Sequence, residues 1–221
     1  MTHPLDDHSS DASSARPGAV EADRAAGAPL DARALDQLFR EARSFSTFLD
    51  REVTDAQIHA IWELMKMGPT SANQLPARLV WCKSPEARER LAGHASPGNK
   101  DKIRNAPVCV IAAMDLDFHE QLPWLFPHTD ARSWFTDEDP RKISAMRNAS
   151  LQGGYLILAA RALGLDCGPM SGFDHASVDA DFFADQPRWK ANFICAVGYG
   201  DRAGLFPRSP RPAFDTFNHV L

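Results

Sequence analysis

The sequence predicts an α+β protein in which helices surround a central sheet. Three apolar runs rich in β-branched residues, ARLVWCK, VCVIAAM and NFICAVGYG, have the composition of strands. Helical patterns lie between them without the regular strand–helix–strand alternation of a parallel α/β protein. With 221 residues, 44% of them hydrophobic, the chain can bury one sizeable core.

The start of the chain differs in composition from the rest. Residues 1–29 are rich in Ala, Asp, Ser, Pro and Gly and lack apolar periodicity, so we expect a disordered tail. A single domain, residues 30–221, is expected to follow. Its first helix is predicted over LDARALDQLFREAR, where the apolar residues recur on one side.

The next two elements flank a polar connector. DAQIHAIWELMK repeats apolar residues at helical spacing, and Thr54 or Asp55 can cap this helix. Gly68-Pro69 is expected to end it. A strand is then predicted over ARLVWCK, residues 77–83. The connector between them, GPTSAN, holds more hydrogen-bonding side chains than a turn requires.

The middle of the chain combines short elements with one long insertion. PEARERLAGHA predicts a short helix, and VCVIAAM, residues 108–114, predicts a buried strand. Residues 115–140 are rich in Asp, Pro and Trp. We expect either an irregular insertion or a pair of short helices there, and long loops in compact domains are often functional.

The strongest helical pattern covers residues 143–165. It is apolar nearly all round from Tyr155 to Leu165, which predicts a central, buried helix with Gly164 as a cap near its end. GPMSGFD is interpreted as a loop, ASVDADFFAD as a short helix and residues 192–200 as a buried strand. The Pro-rich C-terminal segment is predicted to be extended, with a last helical turn.

Charge and composition argue against several classes of protein. A formal net charge of −5 is untypical of a general nucleic-acid binder. No run of about 18 apolar residues occurs and the N-terminus lacks an apolar signal segment, so we expect no membrane span and no secretion. Four cysteines without metal-ligand spacing predict buried thiols in a reducing cytoplasm. They are Cys82, Cys109, Cys167 and Cys195.

The motifs of several enzyme classes are absent from the sequence. Neither GxGxxG nor GxxxxGK(S/T) occurs, which excludes a Rossmann fingerprint and a P-loop. There is no GxSxG elbow, and the scattered histidines form no HExxH or paired spacing. We therefore predict no metal site, and a hydrolase has little support from the sequence.

Three polar loops remain as candidate binding elements. EARSFSTF places Arg43 before several hydroxyls, although a lone arginine is often only a solvated surface group. GPTSAN offers hydroxyls and an amide, or serves only as a helix C-cap and turn. CGPMSGF, residues 167–173, either lets backbone N–H groups approach a flat ligand or forms a simple turn.

The C-terminal FPRSPR adds Arg208 and Arg211, which suit a phosphate unless the segment is a solvated tail. Together the loops describe a site with backbone donors, small polar side chains and arginines, but without an acid–base pair. Such a site suits a bound cofactor that carries the chemistry, while the protein supplies position and electrostatics.

The order of these segments resembles the FMN-dependent nitroreductase family. The matching segments, in chain order, are Arg43-Ser44, GPTSAN with Pro76, Asn99 with Lys102, GPMSGFD, and Arg208 with Arg211. The similarity is greatest to the RutE/HadB-like branch, through GPTSAN, LFPH, DARSWF, RALGLD, GPMSGFD and GYGD. One departure is Leu75-Pro76-Ala77, where the wider family usually has Gln-Pro-Trp.

The resemblance implies a fold, an assembly and a cofactor. It implies a three-layer fold with a mostly antiparallel sheet, in which two chains intertwine as a homodimer with FMN at the interface. The implied FMN-binding residues are Arg43, Ser44, Pro69, Thr70, Ser71, Asn73, Asn99, Lys102, Pro169, Met170, Ser171, Gly172, Arg208 and Arg211. Those of the GPTSAN loop are expected to reach the flavin of the other subunit. Lys102 is expected to stabilise the negative charge of reduced flavin.

The resemblance also implies a reaction. Family members pass hydride from NADH or NADPH through flavin N5 to a small substrate, with ping-pong kinetics. The branch reduces malonic semialdehyde to 3-hydroxypropionate in pyrimidine degradation, and the substrate carboxylate requires a cation. Arg132 and His128 are the candidates, unless they form ion pairs with Asp130 or Asp137. Two alternatives stay open, a broad nitroaromatic or quinone reductase and a flavin-binding protein with little turnover.

Overall fold

A computed structural model of the protein describes residues 28–221. Nearly all of the predicted disordered tail, residues 1–29, lies outside the described part of the chain. The strands are β1 (Ala77–Cys82), β2 (Val108–Asp115), β3 (Asp166–Met170) and β4 (Trp189–Gly198). They form one antiparallel sheet in the order β1-β2-β4-β3.

Helices surround this sheet. They are α1 (Ala32–Leu35), α2 (Asp55–Met65), α3 (Pro85–Gly93), α4 (Pro97–Asn105), α5 (Leu122–Leu125), α6 (Glu138–Ala162), α7 (His175–Phe182) and α8 (Phe214–Phe217). The first helix continues beyond α1 as a π-helical stretch, Asp36–Arg40. Thr54 caps α2 through a reciprocal pair of hydrogen bonds with Gln57.

The sheet separates two hydrophobic cores. Successive residues of β2 point to opposite faces of the sheet. Val108 and Val110 pack in one core with α2 and α6, whereas Cys109 and Ile111 pack in the other with α3, α4 and α7. All eight residues of β2 are buried. The predicted three-layer α+β fold is therefore confirmed, as are the predicted strands at β1, β2 and β4.

The long helix α6 differs from its prediction in bounds and in burial. It begins at Glu138, earlier than the predicted 143–165, and ends at Ala162. Gly164 follows it with a φ of +77°, as expected of a cap. The prediction that this helix is buried is wrong for the single chain, because α6 keeps an exposed apolar face. The exposed side chains are Ile143, Met146, Leu151 and Tyr155.

Two elements were not predicted. The start of GPMSGFD is strand β3 rather than a loop, although Gly168 and Pro169 disfavour strands. Among the strands β3 pairs with β4 alone, and an edge strand tolerates a proline because the outer side of Pro169 needs no strand partner. Helix α4 was missed because its sequence, PGNKDKIRN, is polar apart from the fully buried Ile103.

The insertion between β2 and α6 contains short helical turns, as one of the two expectations had it. These are Phe118–Gln121, α5 and Ala131–Phe135. All four cysteines are buried and free, as predicted. Among the helices of residues 28–221, none combines the length and the apolar character needed to cross a membrane.

Candidate functional site

The loop that joins α2 to β1, residues 66–76, has an unusual backbone. Ala72, Asn73 and Leu75 adopt left-handed conformations, with φ of 51°, 48° and 39°. For a residue with a Cβ this conformation costs roughly 1–2 kcal/mol. Gly68 is required by packing, because a Cβ there would lie 2.6 Å from the ring of Tyr155. Strain of this kind in one short loop marks a candidate functional segment.

Hydrogen bonds from elsewhere in the chain hold this loop. The backbone N–H of Ser71 donates to Asn148 Oδ1 at 2.9 Å, and Asn73 Nδ2 donates to the carbonyl of Leu125 at 2.8 Å. Within the loop, Leu75 N–H donates to Thr70 Oγ1 at 3.2 Å. Pro69, Ser71 and Asn73 are exposed, and Thr70 is half-buried.

A second group of predicted residues meets at β3. Asn99 Nδ2 donates to the carbonyl of Gly172 at 3.0 Å, and Lys102 Nζ donates to the carbonyl of Pro169 at 3.4 Å. A Cβ on Gly168 would lie 2.1 Å from the Phe45 carbonyl oxygen, so only glycine fits there. Burial lowers the pKa of the Lys102 ammonium. The predicted residues of α4 and β3 thus form one cluster.

Among residues 28–221, Lys102 has no carboxylate partner. A half-buried ammonium without an opposing charge is electrostatically uncompensated. An anion bound against β3 would supply the missing charge. The cluster therefore suits a negatively charged ligand that contacts both the ammonium and the neighbouring backbone of β3.

The predicted arginines lie beyond the outer edge of β3. Ser44 forms a parallel bridge with Cys167, which brings the segment after the first helix alongside β3. Arg43 Nη2 donates to the carbonyl of Phe206 at 2.6 Å, and Arg208 Nη2 donates to that of Ala42 at 2.9 Å. These contacts join the C-terminal segment to the first one. Met170 is buried, whereas Ser171 and Arg211 are exposed.

The strained loop and the β3 cluster lie at opposite edges of the sheet. The loop leads into β1, and the order β1-β2-β4-β3 puts three strand spacings between β1 and β3. That separation is about 14 Å at about 4.8 Å per spacing. One chain therefore does not bring the GPTSAN residues onto its own β3 cluster.

The two predicted substrate residues lie in the insertion. Arg132 Nη2 forms an ion pair with Glu120 at 2.9 Å. The alternative prediction of an ion pair with Asp130 or Asp137 is therefore wrong for Arg132. His128 is exposed, with its ring 5.5 Å from that of Phe126. Arg132 borders a cavity of about 450 Å³. Its lining residues are His119, Glu120, Asp130, Arg132, Ser133, Thr136 and Arg141.

Arg141 is a feature of this cavity that the sequence did not reveal. Its Nη1 donates to the Phe135 carbonyl at 2.9 Å and lies 3.2 Å from His119 Nε2. No carboxylate of the described chain lies within ion-pairing distance of Arg141, in contrast to Arg132. Burial, followed by the Arg141 charge, lowers the pKa of His119. Arg141 is thus a cation of the described chain that pairs with a backbone carbonyl and an imidazole but with no carboxylate.

Comparison with known proteins identifies the family. The model of the nitroreductase family matches residues 39–199, well over half of the chain. The chain belongs to the nitroreductase family. This confirms the family-level resemblance found in the sequence, while the branch within the family stays a prediction.

Curated members of the nitroreductase family match nearly end to end. A protein of Burkholderia lata is 59% identical over 192 residues, which cover 86% of this chain and 98% of the relative. One of Ralstonia nicotianae is 53% identical over 193 residues, covering 87% and 98%. Both are named "Putative NADH dehydrogenase/NAD(P)H nitroreductase".

Solved structures confirm the nitroreductase fold. A "putative nitroreductase" of Bacillus subtilis matches with a TM-score of 0.76 and 21% identity, covering 86% of this chain and 99% of that one. A "putative nitroreductase in complex with FMN" of Exiguobacterium sibiricum has a TM-score of 0.75 and 18% identity, with coverage of 88% and 99%. At such identities the likeness concerns the fold.

Proposed function

We propose that this protein is an FMN-dependent NAD(P)H oxidoreductase with ping-pong kinetics. The observation that carries the proposal is the cluster of Asn99 and Lys102 against β3, where a half-buried ammonium lacks an opposing charge. Gly168 fits only without a side chain, which lets Lys102 pack closely against β3. Bound FMN would supply the hydride chemistry between NADH or NADPH and the substrate.

The residues of this chain bind and orient the cofactor. Lys102 supplies positive charge to the end of the flavin that becomes negative on reduction. The flavin ring is oriented by Asn99 and the backbone of residues 169–172. The FMN phosphate is bound by Arg43, Ser44, Arg208 and Arg211. No side-chain nucleophile takes part.

Relatives and neighbours support this cofactor and activity. The curated relatives carry NADH dehydrogenase and NAD(P)H nitroreductase names, and they share more than half of their residues with this chain. A structural neighbour is described in complex with FMN. The buried, free thiols fit the reducing conditions of the cytoplasm, where we expect the enzyme to act.

The proposed active unit is a homodimer. The GPTSAN loop lies at the opposite edge of the sheet from the β3 cluster, so its residues are proposed to reach the flavin of a partner subunit. The exposed apolar face of α6, with Ile143 and Leu151 at 58% and 51% exposure, is the proposed contact surface. A cleft between two subunits encloses a flavin better than two short loops of one chain.

For the substrate, we propose malonic semialdehyde, reduced to 3-hydroxypropionate. The insertion cavity carries Arg132 and the unpaired Arg141, and a small carboxylate would match the latter charge. Asn73 donates to Leu125 of the insertion, so the cavity-bearing segment adjoins the loop proposed to face the flavin. The substrate carboxylate and its aldehyde would then lie on one path toward the ring.

A broad nitroaromatic or quinone reductase is the second candidate, favoured by the names of the relatives. One assay separates the candidates: kcat/KM for malonic semialdehyde, a neutral quinone and a nitroaromatic, each with NADH and NADPH. The proposal expects the aldehyde to be the best of the three. Faster turnover of the quinone or nitroaromatic would favour the second candidate. FMN bound without steady NAD(P)H oxidation by any acceptor would indicate a flavin-binding protein.

A further inference from the structure

The left-handed backbone of the loop before β1 needs support from outside the loop. Ala72 and Leu75 gain nothing from positive φ, unlike glycine or asparagine. Apart from a single 3₁₀ turn over Ser71–Asn73, the loop contains no regular secondary structure. Its shape therefore depends on the side chains that contact it.

Three polar side chains supply this support, Gln74 from within the loop and Ser144 and Asn148 from α6 beneath it. Gln74 Nε2 donates to the Ser71 carbonyl at 3.1 Å and to Ser144 Oγ at 3.0 Å. Asn148 Oδ1 accepts from Ser71 N–H at 2.9 Å, and Asn148 Nδ2 donates to the Ser144 carbonyl at 2.9 Å. Gln74 and Asn148 are fully buried, at 0% exposure. The backbone N–H of Ser71 is thereby tied to α6 directly, and its carbonyl is tied to α6 through Gln74.

We propose that Gln74, Ser144 and Asn148 are positioning residues, which together form a buried clamp that sets the shape in which the loop meets the flavin. The inference rests on the proposed function, because it takes the loop as part of the flavin site. The clamp residues touch neither cofactor nor substrate. They act through Ser71 and the left-handed residues that follow it.

The clamp also links two parts of the proposed site. Ser144 and Asn148 lie on α6, one turn apart, and α6 carries the exposed apolar face proposed for the dimer contact. Hydrogen bonds that are buried in a low dielectric are strong and directional. The loop would therefore move with the interface helix as one unit, which is what a residue reaching into a partner's site requires.

The same helix provides a matched control. Gln152 is one further turn along α6, is also 0% exposed, and accepts a backbone hydrogen bond at 2.9 Å, as Asn148 does. Its donor is Ala77 N–H of β1 rather than the loop. Asn148→Leu and Gln152→Leu each remove a buried amide of α6 and leave one backbone N–H unpaired. Only the first releases the loop.

The test compares the full-length wild type with these two variants and with Asn148→Asp. Burial favours the protonated carboxyl of that variant, whose O–H replaces Nδ2 as donor to the Ser144 carbonyl while its other oxygen accepts from Ser71. We expect Asn148→Leu to raise the Kd for FMN about tenfold, as the loss of one buried hydrogen bond would. Gln152→Leu should lower Tm comparably but leave the Kd within about twofold. Asn148→Asp should recover most of the affinity.

Amide hydrogen exchange in the FMN-free chain supplies a readout that does not depend on the cofactor. Exchange across residues 70–75 should accelerate at least tenfold in Asn148→Leu and stay unchanged in Gln152→Leu. Unchanged exchange, or an equal rise of the FMN Kd in the two leucine variants, would overturn the clamp. A wild type that binds no FMN would instead overturn the proposed function, while the exchange comparison would still decide whether the clamp exists.

Discussion

Arg132 and Arg141 line the same cavity but differ in their electrostatic state. The guanidinium of Arg132 lies 2.9 Å from the Glu120 carboxylate, with both side chains about half exposed. Arg141 instead donates to the backbone carbonyl of Phe135 and lies 3.2 Å from the ring nitrogen Nε2 of His119. A ligand carboxylate gains more from the cation whose charge is still uncompensated.

The first prediction concerns substrate charge. Arg141→Gln should raise KM for malonic semialdehyde roughly tenfold to a hundredfold, since one hydrogen bond to a charged group is lost. Arg132→Gln should have a smaller effect because Glu120 already compensates its charge. Steady-state kinetics with a neutral quinone provide the control. An equal rise of KM for the quinone would contradict the assignment of a carboxylate to this cavity.

The second prediction concerns Lys102. Lys102→Met should raise the Kd for FMN roughly tenfold to a hundredfold, because the ammonium belongs to the proposed cofactor site and the loss of a charged contact is large. Lys100→Met, two positions earlier on α4, is the control and should leave the Kd nearly unchanged. Fluorescence titration of the apoprotein measures both. Equal effects would assign Lys102 a purely structural role.

Lys102 also gives FMN binding a pH dependence. Burial lowers its pKa, so the folded chain loses the ammonium at a lower pH than an unfolded chain does. Affinity for the anionic cofactor should therefore be full below the folded pKa of Lys102 and fall as pH rises through it. In Lys102→Met that fall should disappear. An alkaline loss of affinity of the same size in the variant would rule out Lys102 as its source.

The sequence predicted well those elements that are strongly apolar or that end at a glycine. VCVIAAM is apolar throughout and forms the fully buried β2, and Gly164 ends α6 where a left-handed residue was expected. Helix α4 and strand β3 escaped prediction because neither shows its element's pattern. The first buries little besides Ile103, and the second is an edge strand that contains Pro169.

The parts of the site that depend on distant contacts could not be predicted. Asn148 meets Ser71 across 77 positions, and nothing in the sequence around either residue indicates that the amide is buried. The sequence predicts that Arg132 pairs with a near neighbour, Asp130 or Asp137. Its partner in the structure is Glu120, 12 positions away. By contrast, the cluster of Asn99 and Lys102 with β3 came from the order of whole segments, and the structure brings these residues together.

The third prediction concerns assembly. Leu151→Arg places a charge on the exposed apolar face of α6 and should convert the proposed dimer to monomer, because a buried unpaired charge costs several kcal/mol. FMN should be lost with the partner subunit. Light scattering coupled to flavin absorbance measures both. Leu49→Arg, at a similarly exposed leucine outside α6, is the control. A monomeric variant that keeps its FMN would show that one chain suffices for binding.

The fourth prediction concerns acid stability. Asp181 lies 2.7 Å from Arg90 and 2.8 Å from His94, and these hydrogen bonds, that of Arg90 foremost, lower its pKa from 3.8 to about 2. A lowered carboxylate pKa stabilises the fold above pH 3.8, and this contribution is lost as pH falls toward 2. The Tm difference between wild type and Asp181→Asn should therefore shrink over that interval. A constant difference would contradict this account.

The central claim is that two copies of this chain form two flavin sites between them. Native mass spectrometry of the purified, FMN-reconstituted protein tests it most directly, because one spectrum counts chains and cofactors together. The account predicts a dimer that carries two FMN molecules. A chain that binds no FMN after reconstitution, or a monomer that carries one FMN, would contradict it.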